Sequence, residues 1–178
     1  MRAATFCALV CATALMGCES AVEPVTPLPE PSYSAGPVEH SAFGSAGFTP
    51  GEIFRIVSFT AIERKDRSAS GSFQWNYARA ANRGLGTVTC LSVRGSEAWI
   101  GGVITYHATH PEYVGLEIAM RAVDNRGVGI PDQISLIAPI PYEGPEGVFK
   151  GYAADFCREM PEFPPVYDLE SGNLVVTG

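Results

Sequence analysis

The chain has 178 residues, 46% hydrophobic and 17% charged, with 12 basic residues against 19 acidic ones and a formal net charge of −7. That length leaves one domain with a real core once a leader and a linker are set aside. An acidic balance without a Lys/Arg cluster argues against nucleic acid, whose binding rests on neutralising phosphates, and against adsorption to anionic lipid.

Met1-Arg2 opens an apolar run, Ala3 to Gly17, that ends in Leu15-Met16-Gly17-Cys18. A membrane-spanning helix needs about 20 apolar residues, and this run is shorter, with Glu19 and a polar, proline-rich stretch directly after it. One positive charge, a short apolar region and small residues near the cut describe a removable signal. The run resembles a bacterial lipoprotein signal peptide with its lipobox. That resemblance implies removal of residues 1–17, acylation (palmitate among the chains) of Cys18, and an extracytoplasmic protein held on a membrane of the cell envelope. Ordinary cleavage near Ala12-Thr13-Ala14 is the rival, and it would leave a free secreted protein. A single acyl chain anchors only marginally, whereas the lipoprotein pathway supplies at least two. Loss of Arg2 makes the mature chain one unit more acidic.

Of the five cysteines, Cys7 and Cys11 leave with the signal and Cys18 takes lipid. Cys90 and Cys157 remain, an even pair suited to one disulfide in an oxidising compartment. Closing that loop stabilises a fold by about 4 kcal/mol on the chain-entropy account. A metal site or reactive thiol is the rival, and no clustered histidines support it. Residues 18–50 carry six of the 14 prolines (Pro24, Pro27, Pro29, Pro31, Pro37 and Pro50) among Ser, Gly and Glu. Such a segment buries too little apolar surface to offset its ordering entropy, and it reads as a disordered tether. Phe43 and Phe48 are candidates for the domain edge.

Residues 51–178 form the expected domain, and their hydrophobic period is two. The run Ile53 to Ile62 is rich in β-branched and aromatic residues. Arg64 to Ser70, ending at Gly71, reads as a hairpin loop, and Ser72 to Tyr77 alternates with Phe73, Trp75 and Tyr77 on one face. Leu85 to Val93 and Ala98 to Tyr106 form a second hairpin about Arg94-Gly95-Ser96-Glu97. Val114 to Val123, Gln133 to Ile137 and Asn173 to Thr177 are further strands. No stretch combines helical periodicity with caps. The expected fold is all-β, a small antiparallel β-barrel with a β-sandwich as the alternative. Gly101-Gly102 inside a strand marks a bulge or bend.

Five blocks stand out along the chain: Gly86-Thr87-Val88-Thr89-Cys90-Leu91-Ser92-Val93, Ala98-Trp99-Ile100-Gly101-Gly102-Val103, Val123-Asp124-Asn125, Pro131-Asp132-Gln133-Ile134-Ser135 and Ser171-Gly172-Asn173-Leu174-Val175-Val176. Together they resemble an uncharacterised family of exported bacterial proteins with a GxVxCLxVxGxxAxIGG block, a VxDNGEG…PDxxS block, a later cysteine and a terminal GNxxV strand. The resemblance covers most of the chain after Gly71. It implies a small extracytoplasmic β-domain with a Cys90–Cys157 bridge and brings no activity with it. The chain departs from the pattern at Asn125-Arg126-Gly127-Val128-Gly129, which lacks the acidic residue after the first glycine.

Three constellations carry candidate chemistry. Asp124, Asn125 and Asp132 space oxygens around glycines as a calcium loop does, although the same residues are ordinary turn formers and Arg126 adds a repelling charge. His107, His110 and Glu112 suggest zinc, but Pro111 places them in a loop with no fourth ligand in view. Phe73, Trp75, Tyr77, Trp99 and Tyr106 are either barrel core or the lining of a pocket for an apolar ligand. Asp155 and Glu159, close in sequence, lack the opposed placement that paired catalytic carboxylates need. There is no Gly-x-Ser-x-Gly, His-Glu-x-x-His or phosphate-cradling glycine loop. The expectation is a lipid-anchored, non-catalytic interaction or envelope module without a cofactor. Its partner is an unknown protein or, in the alternative, a small apolar ligand held by the barrel.

Overall fold

The computed structural model describes residues 36–77, 82–144 and 147–178. The signal, Cys18 and the tether as far as residue 35 lie outside the described residues. The domain is all-β. Six long strands follow one another as antiparallel neighbours: β1 (Val38–Phe48), β2 (Arg55–Arg64), β3 (Ala69–Tyr77), β4 (Arg83–Arg94), β5 (Glu97–His107) and β6 (Glu117–Val123). Short strands follow: β7 (Gln133–Ser135), β8 (Ala138–Ile140), β9 (Tyr142–Gly144) and β10 (Gly147–Phe149). The chain then forms a helix, α1 (Ala153–Glu159), and ends in β11 (Val166–Asp168) and β12 (Ser171–Thr177). The sheet order is β11-β7-β6-β5-β4-β3-β2-β1-β12, with β8 also on β6, while β9 and β10 pair separately. Among the described residues no helix is long and apolar enough to cross a membrane.

The two outermost strands of that order, β11 and β12, are consecutive in sequence, joined through Leu169 and Glu170. The sheet therefore curls back on itself into a barrel-like form. Leu169 N–H donates to the carbonyl of Asp132, extending the β11–β7 ladder, and Glu170 N–H to that of Gly47, extending the β12–β1 ladder.

The domain starts earlier than composition suggests. Val38–Phe48, counted with the tether, is an interior strand, with Ala42 opposite Ala61 on β2 and opposite Val176 on β12. Its inward residues Ala42, Ala46 and Phe48 are fully buried. Two of these three are alanines, so the alternation carries little hydrophobic signal although the strand is central. The helix α1 was likewise not expected. At seven residues it is too short for a periodic pattern, and its sequence cue is the cap, where Asp155 accepts the Tyr152 N–H at 2.9 Å.

Two cores result. One fills the curl of the sheet and includes Phe48, Phe59, Phe73, Trp75, Leu91 and Ile100. The other lies on the opposite face of β5 and β6, where Trp99 and Ala119 are covered by Phe149, Phe156 and Cys157. Cys90 and Cys157 are joined by a disulfide that ties α1 to β4. Gly101 and Gly102, adjacent on β5, serve opposite faces. A Cβ on Gly101 would sit 2.5 Å from the Cys90 sulfur and 2.9 Å from Ala153, and one on Gly102 would sit 2.4 Å from the Thr87 carbonyl and 2.6 Å from the Phe73 ring. The bulge expected at this pair falls on the partner strand, where Thr89 is the extra residue opposite them.

Candidate functional site

Inside the curl, the alternation of β3 places Phe73 and Trp75 inward, stacked with ring centroids 6.2 Å apart. Their room comes from β4. Trp75 pairs with Gly84 and Phe73 with Gly86, and a Cβ on either glycine would fall about 2 Å from a ring carbon. Aromatic rings lying across glycines on the next strand are a recognised way to curve a sheet and keep it packed. Phe73 is thus core, closed in on all sides.

The next aromatics along β3 are different. Where β3 and β5 end and β6 begins, the curl opens into a cavity of about 350 Å³. Its floor is Trp75, Ile104 and Ile118, and its rim is Tyr77, Tyr113 and Leu116, with Ile137 and Pro139 completing the wall. That volume is at the lower end of the range of small-molecule sites, about 300–1,000 Å³. Among the described residues the lining holds no Lys, Arg, Asp or Glu; its polar groups are Asn82, His107 and the hydroxyls of Tyr77 and Tyr113. Asn82 Oδ1 accepts from Trp75 Nε1 at 3.2 Å. Arg55 stacks on the Tyr77 ring at 4.4 Å and donates to its hydroxyl at 3.4 Å. Burial pushes the Tyr77 phenol up, with Arg55 opposing.

His107 owes its place to a bulge. Strict alternation after Ile104 would turn position 106 inward, but Thr105 is an extra residue opposite the Leu85–Gly86 step. A bulge of this kind re-aims the side chains beyond it. Tyr106 therefore faces out, 42% exposed, and His107 is 6% exposed. His107 Nδ1 accepts the backbone N–H groups of Thr109 (3.3 Å) and His110 (3.1 Å). A nitrogen that accepts two N–H groups carries no proton, so the proton is on Nε2. The ring meets Trp75 edge-on at 5.5 Å and Tyr113 at 5.2 Å. Burial pushes its pKa down, reinforced by His110 and opposed by Glu112.

The other sequence candidates fall elsewhere. Trp99 does not share the face of Phe73 and Trp75. It lies fully buried under α1, with Nε1 donating to the Pro161 carbonyl at 2.7 Å, because it faces the opposite side of β5 from Ile100. His110 pairs with Glu112 at 2.8 Å in the short 3-10 turn Pro111–Tyr113. Asp124, Asn125 and Asp132 do come together, but around backbone N–H groups. Asp132 accepts from Asn125 N–H and Leu174 N–H, both at 2.8 Å. Asp124 accepts from Arg126 and from Val176 N–H. All four carboxylate oxygens are engaged, and among the described residues no group of three His, Cys, Asp or Glu is placed to hold a metal. Asp155 and Glu159 sit at the two ends of α1, both beside Arg158.

Two wider grooves of about 580 and 600 Å³ lie elsewhere, lined chiefly by the outward residues of β2 to β5, among them Ile56, Ser58, Gln74 and Leu85. Neither is lined by a buried polar side chain, whereas the mouth is lined by His107. Of the elements forming the mouth, β3, β5 and β6 are legible in the sequence, but the 3-10 turn of Tyr113, β8 with Pro139, the lining roles of Leu116, Ile118 and Ile137 and the role of His107 are not. The bulge that turns His107 inward leaves no mark on the residue pattern. No protein-family model, curated protein or solved structure matches the chain.

Proposed function

We propose that this chain is a lipid-anchored extracytoplasmic binding module, attached through Cys18 and without chemistry of its own, whose curled sheet takes a small apolar ligand at its mouth. The observation that carries this reading is the cavity itself, walled by Trp75, Ile104, Ile118, Ile137 and Pro139 and free of ionised side chains among the described residues. A non-catalytic role is supported by how the acidic and imidazole groups are used. Asp124 and Asp132 bond β12, Asp155 caps α1 and Glu63 is paired with His40. The anchor is supported by the Leu15-Met16-Gly17-Cys18 run, and its partner is the membrane.

The test is intact mass spectrometry of the chain from its native host, under denaturing and non-denaturing conditions. Diacyl mass that disappears in Cys18→Ser supports the anchor, and its absence from the wild type removes that part of the reading. A co-purifying small molecule that is lost in Leu116→Trp, which fills the cavity at its rim, supports the ligand. A wild type that carries nothing and also binds no added apolar probe overturns it, leaving a protein-binding module as the reading to pursue.

A further inference from the structure

The cavity's chemistry narrows what it takes. We propose that the mouth is selective for compact, uncharged apolar molecules that present one hydrogen-bond acceptor, such as a ketone, ester or amide carbonyl, to the Nε2–H of His107. This rests on the ligand-binding reading above.

Three observations carry it. First, the tautomer is locked, because Nδ1 is held by the two backbone N–H groups of Thr109 and His110. His107 therefore offers a fixed, neutral donor, and charging it would cost both of those bonds. Second, no described residue bonds Nε2, and His107, 6% exposed, lines the cavity. A buried donor is costly to leave bare, so a purely apolar occupant that displaced water from it would forfeit part of its binding, and one that supplied an acceptor would not. Third, no cation lines the wall among the described residues, while Asn82 Oδ1 accepts from Trp75 and the Tyr77 oxygen from Arg55. One residue back from the lining the two signs offset each other, with Glu112 bonded to His110 and Arg55 stacked on Tyr77. A carboxylate would lose its hydration there, and no described lining residue carries a counter-charge.

Three probes of one shape separate these features: naphthalene, 2-acetylnaphthalene and 2-naphthoate. They are titrated into the full chain carrying Cys18→Ser, with tryptophan fluorescence as the readout. The expected order places 2-acetylnaphthalene about fivefold tighter than naphthalene, the worth of one net hydrogen bond, with 2-naphthoate weaker than the ketone. His107→Phe should make the ketone and the hydrocarbon equal, and His107→Gln, which keeps a donor near the Nε2 position, should restore part of the preference. Equal binding of ketone and hydrocarbon by the parent chain, tightest binding of 2-naphthoate, or a preference that survives in folded His107→Phe overturns the head-group inference alone. Absence of binding for all three, or binding undiminished in Leu116→Trp, overturns the ligand site itself. Should His107→Phe fail to fold, the parent chain's order and Leu116→Trp still decide both questions.

Discussion

The backbone N–H of Val176 on β12 donates at 3.0 Å to Oδ2 of Asp124, 52 residues earlier and just past the end of β6. Two residues back, Leu174 N–H donates at 2.8 Å to Oδ2 of Asp132. One edge of β12 pairs with β1, so these are N–H groups on the side away from β1. An open edge is a liability that proteins cover or pair. Here two carboxylates stand where a neighbouring strand's carbonyls would, and the seam of the curl is closed by side chains. This accounts for aspartates at both ends of a glycine-rich loop without any cation.

Asp132→Ala should therefore strip acceptors from two N–H groups, those of Asn125 and Leu174. At about 1–3 kcal/mol for each group left unpaired, the expected loss is about 2–6 kcal/mol in urea unfolding. In native-state hydrogen exchange the Leu174 amide should lose protection before those of β3 and β4. An unchanged unfolding midpoint, or Leu174 still protected like the core, would show that the seam is held by something else.

The same contact predicts an acid limit. Burial by itself raises the pKa of Asp124, but the hydrogen bonds from the Arg126 side chain and from the backbone of Val176 and Arg126 outweigh it, and the carboxyl is held below its usual range. A depressed native pKa gives stability that is present in full above the unfolded value, about 4, and that is lost as pH falls from there through the native one. Stability should be level near pH 6 and decline below about pH 4. Asp124→Asn should be less stable at pH 6 and show a shallower decline, since the variant has no proton to take up at this site. Parallel pH profiles for the two chains would reject the assignment.

Much of the sheet was legible because its signals are local: β-branched runs, period-two alternation, and a turn at Gly95. What was hidden depends on pairing. Val38–Phe48 looked like tether because its inward positions are mostly small, and only β2 and β12 on either side make it a strand. The sequence Gly84-Leu85-Gly86 is unremarkable until register sets it against Phe73 and Trp75. Trp99 packs apart from Phe73 and Trp75 because one helix far along the chain covers the other face of its strand, which no local pattern marks. Export, acylation and the tether were read from residues that lie outside the described ones, and they stay proposals of the sequence.

The ring-over-glycine packing predicts a coupled pair. Gly86→Ala would place a Cβ 2.0 Å from the Phe73 ring and 2.5 Å from the Val103 carbonyl. Overpacking of this kind costs about 1–3 kcal/mol. Combined with Phe73→Leu, which withdraws the ring, the alanine should cost clearly less than it does alone. Residues in contact depart from additivity by about 0.5–3 kcal/mol. Strict additivity of the two changes in thermal or urea unfolding would mean that the ring does not depend on that glycine.

The disulfide and the mouth lie on opposite faces of β5, so breaking one should leave the other working. In Cys90→Ala/Cys157→Ala the chain-entropy account predicts a loss of about 4 kcal/mol for the 67-residue separation. That corresponds to a Tm lower by roughly 10–15 °C for a domain of this size. The chain has two tryptophans, Trp75 in the cavity floor and Trp99 under α1, and each reports on one face. With Trp75→Phe in the background, Trp99 emission should shift to the red as α1 loosens. With Trp99→Phe instead, the Trp75 response to 2-acetylnaphthalene should persist at temperatures where the chain is still folded. Loss of that response while the sheet remains folded would mean that the two cores act as one, and that α1 holds the shape of the mouth through β5.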